Sequence, residues 1–299
     1  MGNPKMKVMV TGLSGLVGSR WRELSLEKYT LEGLDLTGGV DITQMAQVER
    51  IVGDSPAEVV VHLAAFTNVS AAQAQEGKKQ GICYQVNVMG TRNITQACKK
   101  YGKYLIHIST DFVFDGLKET PYTEVDIPQP IEWYGKTKYL AEQEVQTQLD
   151  NYVILRLAYP YQARPTRPDF LTNLTDKLRS NALPPQFTDH TITPTFVDDV
   201  AEVFDVCIRQ RPQGLYHMTG SSWHTDFEKA QIVKEAFGLT GEIVPEKLVD
   251  YLKDVKRPYQ KTMKLSNAKL QQELGIKMKT FREGLEEIVG AGGNGWHAT

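Results

Sequence analysis

A chain of 299 residues, 41% apolar and 23% charged, has room for one large domain or for one domain with a smaller lobe. Its formal charge of −2 gives no electrostatic reason to expect nucleic acid or an anionic membrane as partner. Cys83, Cys98 and Cys207 are odd in number and lack CxxC spacing, and no targeting segment or membrane-length apolar run is present, so the expectation is a cytoplasmic protein with reduced thiols.

Residues 7–10 form an apolar run that predicts a first strand, closed by the glycine-rich turn TGLSGLVG at 11–18. Residues 16–25 then predict a helix, and 30–36 a second strand. Asp41, Ile42 and Thr43 are expected to open the next helix, with Asp41 as its cap. Residues 58–64 are almost wholly apolar in the middle, as a strand covered on both faces should be. A long helix is expected over 82–101, a strand over 104–109, a helix over 132–149, a strand over 152–157 and a sixth strand over 215–219. Strands alternating with helices imply an α/β fold, a Rossmann-type doubly wound parallel sheet with right-handed crossovers.

The character changes after Tyr159. Residues 160–195 are rich in Pro, Arg and Thr, and amphipathic helices are expected near 226–237 and 280–289. The expected division is an NAD(P)-binding domain over 1–159, to which 196–219 return, and a small C-terminal substrate-binding lobe made of 160–195 and 220–299. The glycine-rich end from Gly290 is expected to be a loose tail.

The TGxxGxxG turn follows a strand and opens a helix, the context in which such glycines hold a dinucleotide pyrophosphate. Gly12, Gly15 and Gly18 permit the tight turn and close backbone approach, while Ser14, Leu16 and Val17 lie where helix-terminal N–H groups meet the phosphates. The same pattern also occurs as a plain glycine-rich turn. Asp35, at the end of the second strand, can accept hydrogen bonds from the adenosine ribose and repels a 2′-phosphate, which favours NAD over NADP. Arg20 is the counter-indication, unless it is simply solvated.

Tyr134 and Lys138 stand one helical turn apart. A phenol is a poor acid or base at neutral pH, and a neighbouring ammonium is expected to bring its pKa towards the working range. Thr110, at the end of the fourth strand, can fix the same substrate oxygen. On its own, a Tyr and a Lys at this spacing are a surface pair. Beside the glycine turn they point to hydride transfer at a carbinol or carbonyl carbon. His62 and His107 lie inside apolar strands and are expected to be core residues, while His190, His217 and His224 lack metal-ligand spacing.

These residues resemble the extended short-chain dehydrogenase/reductase family over nearly the whole chain, and within it the dTDP-4-dehydrorhamnose reductase branch. The elements that carry the resemblance are TGLSGLVG, the LAA of 63–65, NVMGT at 87–91, STDFVFDG at 109–116, YGKTK at 134–138, PTFVDDVA at 194–201 and LSNAKL at 265–270. STDFVFDG is the most branch-specific of them. The resemblance implies a catalytic set of Thr110, Tyr134 and Lys138. It places Asp35, Asp41 and Ile42 near the adenosine, Leu63, Ala64, Ala65 and Thr67 along the cofactor, and Asn87 as a supporting residue. It implies an NAD(P)H-dependent reductase of a nucleotide-linked 4-keto-6-deoxy sugar, with a homodimer as a family-based expectation. Arg164, Arg167 and Arg257 are candidates for the substrate diphosphate.

Four positions depart from the branch pattern, all on the substrate side. Glu132 stands where Asn is frequent, Tyr159 where Trp is usual, Ser70-Ala71-Ala72 where an acidic pair is usual, and Asp169-Phe170 where Asn-Phe is common. Two other functions remain open on the same fold. One is a nucleotide-sugar epimerase or dehydratase, towards which Asp111 beside Thr110 points. The other is a non-catalytic, cofactor-binding regulatory subunit of another enzyme.

Overall fold

The computed structural model describes residues 5–163, 165–255 and 257–291. Short apolar runs form six parallel strands: β1 (Met6–Thr11), β2 (Tyr29–Leu34), β3 (Val59–His62), β4 (Tyr104–Thr110), β5 (Tyr152–Leu157) and β6 (Gly214–Met218). They lie side by side in the order β2-β1-β3-β4-β5-β6. The predicted doubly wound parallel sheet is therefore present.

Alternate side chains along each strand enter different cores, as a pleated strand requires. Val8, Val10, Val59, Val61, Ile106 and Leu155 pack under α1 (Leu16–Ser25) and under α6 (Val197–Gln210). Met9, Val60, Leu105 and Ile154 pack under α2 (Met45–Asp54), α3 (Thr91–Tyr101) and α4 (Trp133–Gln148). α1 is held to α6 by an edge-to-face contact of Trp21 with Phe204, ring centres 5.0 Å apart. α6 covers this face of the sheet, and β6 forms its edge.

The remaining residues build a third apolar cluster. Tyr161, Leu171, Leu174, Phe196, Val233, Phe281 and Leu285 meet there, carried largely by α5 (Phe170–Arg179), α7 (Asp226–Ala236) and α8 (Phe281–Gly290). α7 and α8 each begin with a capping box, Thr225 with Glu228 and Thr280 with Glu283, which satisfies two terminal N–H groups reciprocally.

Two local expectations fail, and one expected helix has an irregular turn. β2 stops at Leu34, and Asp35 begins a tight turn over Leu36–Gly38. Asp41 caps no helix: it accepts from the Thr43 N–H at 2.9 Å and the Thr43 hydroxyl at 2.8 Å, closing a turn of its own, and α2 starts only at Met45. The helix over 82–101 passes through a wide π-type turn at Gln85–Gly90 before α3. Gly290 closes α8, and the tail beyond 291 lies outside the described residues. All three cysteines are free and buried. Among the described residues no helix is long and apolar enough to cross a membrane.

α4 is anchored to β5 by a buried ion pair. Arg156 donates to Glu142 through Nε at 2.9 Å and a terminal nitrogen at 2.7 Å, with both side chains at 3% exposure or less. Removing one partner leaves the other charge buried and alone. Glu142→Ala is expected to lower unfolding stability by about 3–5 kcal/mol in urea titration, whereas the paired apolar replacement Glu142→Leu with Arg156→Met is expected to cost clearly less.

Candidate active site

The strand order reverses between β1 and β3, so a crevice opens beyond their carboxyl ends. The turn after β1 enters it through Gly12, at φ +73°, where a Cβ would lie 2.7 Å from the Ala64 nitrogen that follows β3. Only glycine accepts both that conformation and that approach. The Gly15 N–H donates to the Gly12 carbonyl at 3.0 Å. At Gly18 a Cβ would meet the Gly12 oxygen at 2.6 Å, so α1 sits directly on the turn. α1 has no side-chain cap, and the Leu16 and Val17 amides of its first turn border the crevice at the positive end of the helix dipole.

Asp35 does more than border this space. Its two carboxylate oxygens accept from the Leu13 N–H at 3.0 Å and the Ser14 N–H at 2.8 Å, pinning the turn to the end of β2. Arg20 is neither solvated nor free: it donates to Asp198 at 2.8 and 2.6 Å and to Glu23 at 2.9 Å, and these carboxylates hold its pKa above the usual range.

Tyr134 and Lys138 occupy the inner face of α4, and both are buried. Gly135 allows this packing, since a Cβ there would lie 2.0 Å from the Phe112 oxygen in the loop after β4. Lys138 Nζ donates to the Ile108 carbonyl at 2.7 Å. Burial lowers the Lys138 pKa to about 8, against the opposing charge of Glu142. Burial also raises the Tyr134 phenol above its ordinary value, although the Thr110 hydroxyl lies against its oxygen and opposes the shift. This corrects the expectation that the lysine brings the phenol down. The ammonium is turned to a backbone carbonyl, and desolvation prevails.

Thr110 donates to Asp111 Oδ1 at 2.9 Å and accepts from the Phe112 N–H at 3.3 Å. Every position expected from the sequence at the cofactor or the reaction, except Asn87, borders one cavity of 690 Å³. Asn87 stands behind it: its Oδ1 accepts from the Phe66 N–H at 2.7 Å, and its amide donates to Thr137 at 3.0 Å, tying the loop after β3 to α4. Ile42 also supports Gly90 in the wide turn, where a Cβ would be 2.7 Å from its Cδ1.

Of the four departures, Tyr159 and Asp169-Phe170 border the cavity, whereas Glu132 and residues 70–72 do not line it. Tyr159 takes φ +40° and stacks on Phe112 with ring centres 6.5 Å apart. Glu132 is buried with neither carboxyl oxygen hydrogen-bonded; burial raises its pKa to about 7, opposed by Arg257 at 3.8 Å. Ser70, Ala71 and Ala72 lie on a one-turn helix, Val69–Gln73, capped by Asn68. Asp169 caps α5 by accepting from the Thr172 N–H at 2.8 Å, and Phe170 borders the cavity. Arg167 borders it too, Arg257 lies over the Tyr259 ring at 4.3 Å, and Arg164 falls outside the described residues.

Sequence patterns gave no sign of a second cavity of 510 Å³ that shares Tyr159 with the first. Phe187, His190, Asp226, Tyr251 and Tyr259 border it, drawn from segments too far apart to form a motif. His190 Nδ1 lies 2.5 Å from Asp226 there. Of the strand histidines, His62 is satisfied by Thr11 at 2.6 Å and Thr91 at 3.0 Å. His107 is buried 5.3 Å from the His62 ring, and neither of its nitrogens is hydrogen-bonded.

Residues 6–292 match the family described as the RmlD substrate binding domain. The chain is 28% identical to the dTDP-4-dehydrorhamnose reductase of Aggregatibacter actinomycetemcomitans, over 94% of this chain and 98% of that protein. It is 29% identical to the methionine adenosyltransferase 2 subunit beta of Mus musculus, over 96% of this chain and 88% of that one. The crystal structure of the Bacillus anthracis dTDP-4-dehydrorhamnose reductase in complex with NADP superimposes with a TM-score of 0.88 at 26% identity, covering 96% of this chain and 100% of that one. With the glycine turn at the strand-order switch and the Thr-Tyr-Lys set beside it, this chain belongs to the RmlD substrate binding domain family, the dTDP-4-dehydrorhamnose reductase branch of the extended short-chain dehydrogenases/reductases.

Proposed function

We propose that this chain binds a nicotinamide cofactor along the turn after β1 and reduces the keto group of a nucleotide-linked 4-keto-6-deoxy sugar. The observation that carries this proposal is that Thr110, Tyr134 and Lys138 share one cavity with the glycine turn. The names of the reductase relatives support the substrate class.

The residues present suit the cofactor. Gly12 lets the turn lie against the Leu63–Ala64 peptide, and the Leu16 and Val17 amides offer uncapped donors for a pyrophosphate. Asp35 meets the ribose, and Asp41, Ile42, Leu63, Ala64, Ala65 and Thr67 border the rest of the cofactor. We take NADH to be preferred, because the Asp35 carboxylate stands at the rim and Arg20 is engaged by Asp198 and Glu23. The NADP bound by the Bacillus anthracis relative makes this choice worth testing directly.

When bound, the reduced cofactor supplies a hydride to the substrate carbonyl carbon. Tyr134 gives its phenolic proton to the oxygen on that carbon. Its raised pKa keeps the phenol protonated, the form that reduction needs. Thr110 fixes the same oxygen by a second hydrogen bond, and Lys138 holds the nicotinamide ribose. The second cavity, walled by Phe187, Tyr251 and Tyr259 in the smaller lobe, takes the nucleotide of the substrate. Three free, buried thiols suit a cytoplasmic setting.

The methionine adenosyltransferase subunit that this chain resembles favours a second function, a cofactor-binding partner of another enzyme. Purified protein mixed with NADH or NADPH and a panel of nucleotide-linked 4-keto sugars separates the two. Loss of reduced-nicotinamide absorbance with one sugar supports the reductase. Binding of cofactor without turnover of any of them supports the partner function.

Tyr134→Phe is expected to lower kcat by about 10²–10⁴-fold with cofactor affinity retained, measured by stopped-flow absorbance and by fluorescence titration. Asp35→Ala is expected to weaken NADH binding about tenfold, the scale of one hydrogen bond to a charged group, and to weaken NADPH binding less. Titrations with the two cofactors check that ratio.

A further inference from the structure

The second cavity holds a cluster of titratable groups that the hydride chemistry does not use. His190, on the segment between α5 and α6, borders this cavity and is 5% exposed. Its Nδ1 lies 2.5 Å from Asp226 Oδ2 at the start of α7, and the Asp226 N–H donates to the His190 carbonyl at 3.3 Å. The other carboxylate oxygen of Asp226 accepts from Lys229 Nζ at 2.6 Å. Burial works to raise the Asp226 pKa, but the Lys229 ammonium and the His190 bond outweigh it and hold it at about 2. Lys229 therefore already balances the carboxylate charge. A neutral imidazole completes a cluster of no net charge, whereas a second cation would be left uncompensated in a largely buried place. A neutral ring whose Nδ1–H donates to a carboxylate carries its lone pair on Nε2. Nε2 bonds to no described residue and is not sealed in protein, so it opens into the cavity that the ring borders.

The walls of this cavity suit a flat ring better than a phosphate. Phe187 and Tyr251 meet with ring centres 5.1 Å apart, and Tyr251 and Tyr259 with centres 5.9 Å apart. His190 stands edge-on to Phe187 at 6.1 Å and to Tyr259 at 5.9 Å. Asp226 and Glu246 border the cavity, and among the described residues no lysine or arginine does. A diphosphate meets like charge there, while a base meets aromatic surface and hydrogen-bond acceptors.

We propose that His190 selects the base of the substrate, its Nε2 accepting from a ring N–H that stands beside a carbonyl. Thymine, uracil and guanine carry such an N–H. Cytosine and adenine carry a lone pair at the corresponding ring nitrogen and are disfavoured. The inference rests on the assignment of this cavity to the nucleotide of the substrate. His190 is the residue that touches the base, and Asp226 is a positioning residue that acts through it by fixing the tautomer. Uracil and cytosine are nearly equal in size, so the aromatic walls do not tell them apart. Nε2 does: against cytosine it sets lone pair to lone pair and leaves two polar atoms unpaired, which costs more than one hydrogen bond contributes.

The test is calorimetric titration of the protein with UDP, dTDP, GDP, CDP and ADP. It is run at pH 8 with saturating NADH, so that the cofactor crevice is occupied. The wild type is expected to bind UDP about tenfold or more tightly than CDP. The dTDP and GDP arms show which of the N–H bases fits best. In His190→Leu the ratio of UDP to CDP affinity is expected to fall to near one, with NADH binding retained as the sign of a folded protein. Asp226→Asn, whose amide both donates and accepts, releases the tautomer and is expected to lower the same ratio. That ratio is a readout that a merely structural role would not move, and Asp226→Asn decides alone if His190→Leu does not fold. Nitrogen-15 correlation spectra of the imidazole at pH 8 are expected to show hydrogen on Nδ1 and a bare Nε2. Equal affinity of the wild type for UDP and CDP, a ratio that survives in the variants, or hydrogen on Nε2 overturns the proposal. If no nucleoside diphosphate binds the cofactor-loaded protein, the nucleotide assignment of the cavity fails and the proposal with it. If all five bind alike, that assignment stands and only the role of His190 fails.

Discussion

The contact between Gly12 and the Leu63–Ala64 peptide is the constraint on which the site depends. β1 and β3 are neighbours in the sheet, and their following loops meet where the strand order reverses. No side chain fits between them, so the turn lies down in the crevice and its helix amides border open space. Asp35 then fixes the turn from a third strand, β2, and Gly18 lets α1 seat itself on it. The ends of three strands therefore set the donors at the start of α1, and Trp21 and Arg20 lock the helix against α6. A rigid scaffold under a short turn is the form of preorganisation that an anion site needs.

α4 answers a different demand. With Glu132 just before it, the helix brings an ammonium, a phenol, two carboxyls and a threonine inward, which is unfavourable unless each finds a partner. Glu142 takes Arg156, Lys138 takes a β4 carbonyl and Thr137 takes Asn87. Glu132 finds only an arginine at 3.8 Å. Burial then raises the pKa of the Tyr134 phenol and of the Glu132 carboxyl and lowers that of the Lys138 ammonium. The site accordingly holds its protons near neutrality, the state in which a ketone can be protonated as it is reduced.

Much of the cofactor side was legible in the sequence because its signals are local. A strand, TGxxGxxG and a helix follow one another within twenty residues or so, and backbone geometry alone fixes what the glycines must do. Asp35 borders the crevice, but its bonds to Leu13 and Ser14 depend on the neighbouring strand, and no pattern within β2 announces them. Arg20 illustrates the opposite case: its partner Asp198 lies far along the chain, so the helix that carries Arg20 reads as solvated. Asp41 shows the limit of cap signatures, since a short polar side chain closes a local turn as readily as it caps a helix.

The sequence by itself determined the alternation of strands and helices, the glycine turn and the spacing of Tyr134 and Lys138, because each depends on residues close together in the chain. Only the tertiary structure decided which way Lys138 points, that burial raises Tyr134, that Asp111 and Glu132 keep unbonded oxygens, and that Tyr159 stands between two cavities. Those properties come from desolvation and from contacts between distant segments. Both depend on where the whole chain packs, and no stretch of it encodes them alone.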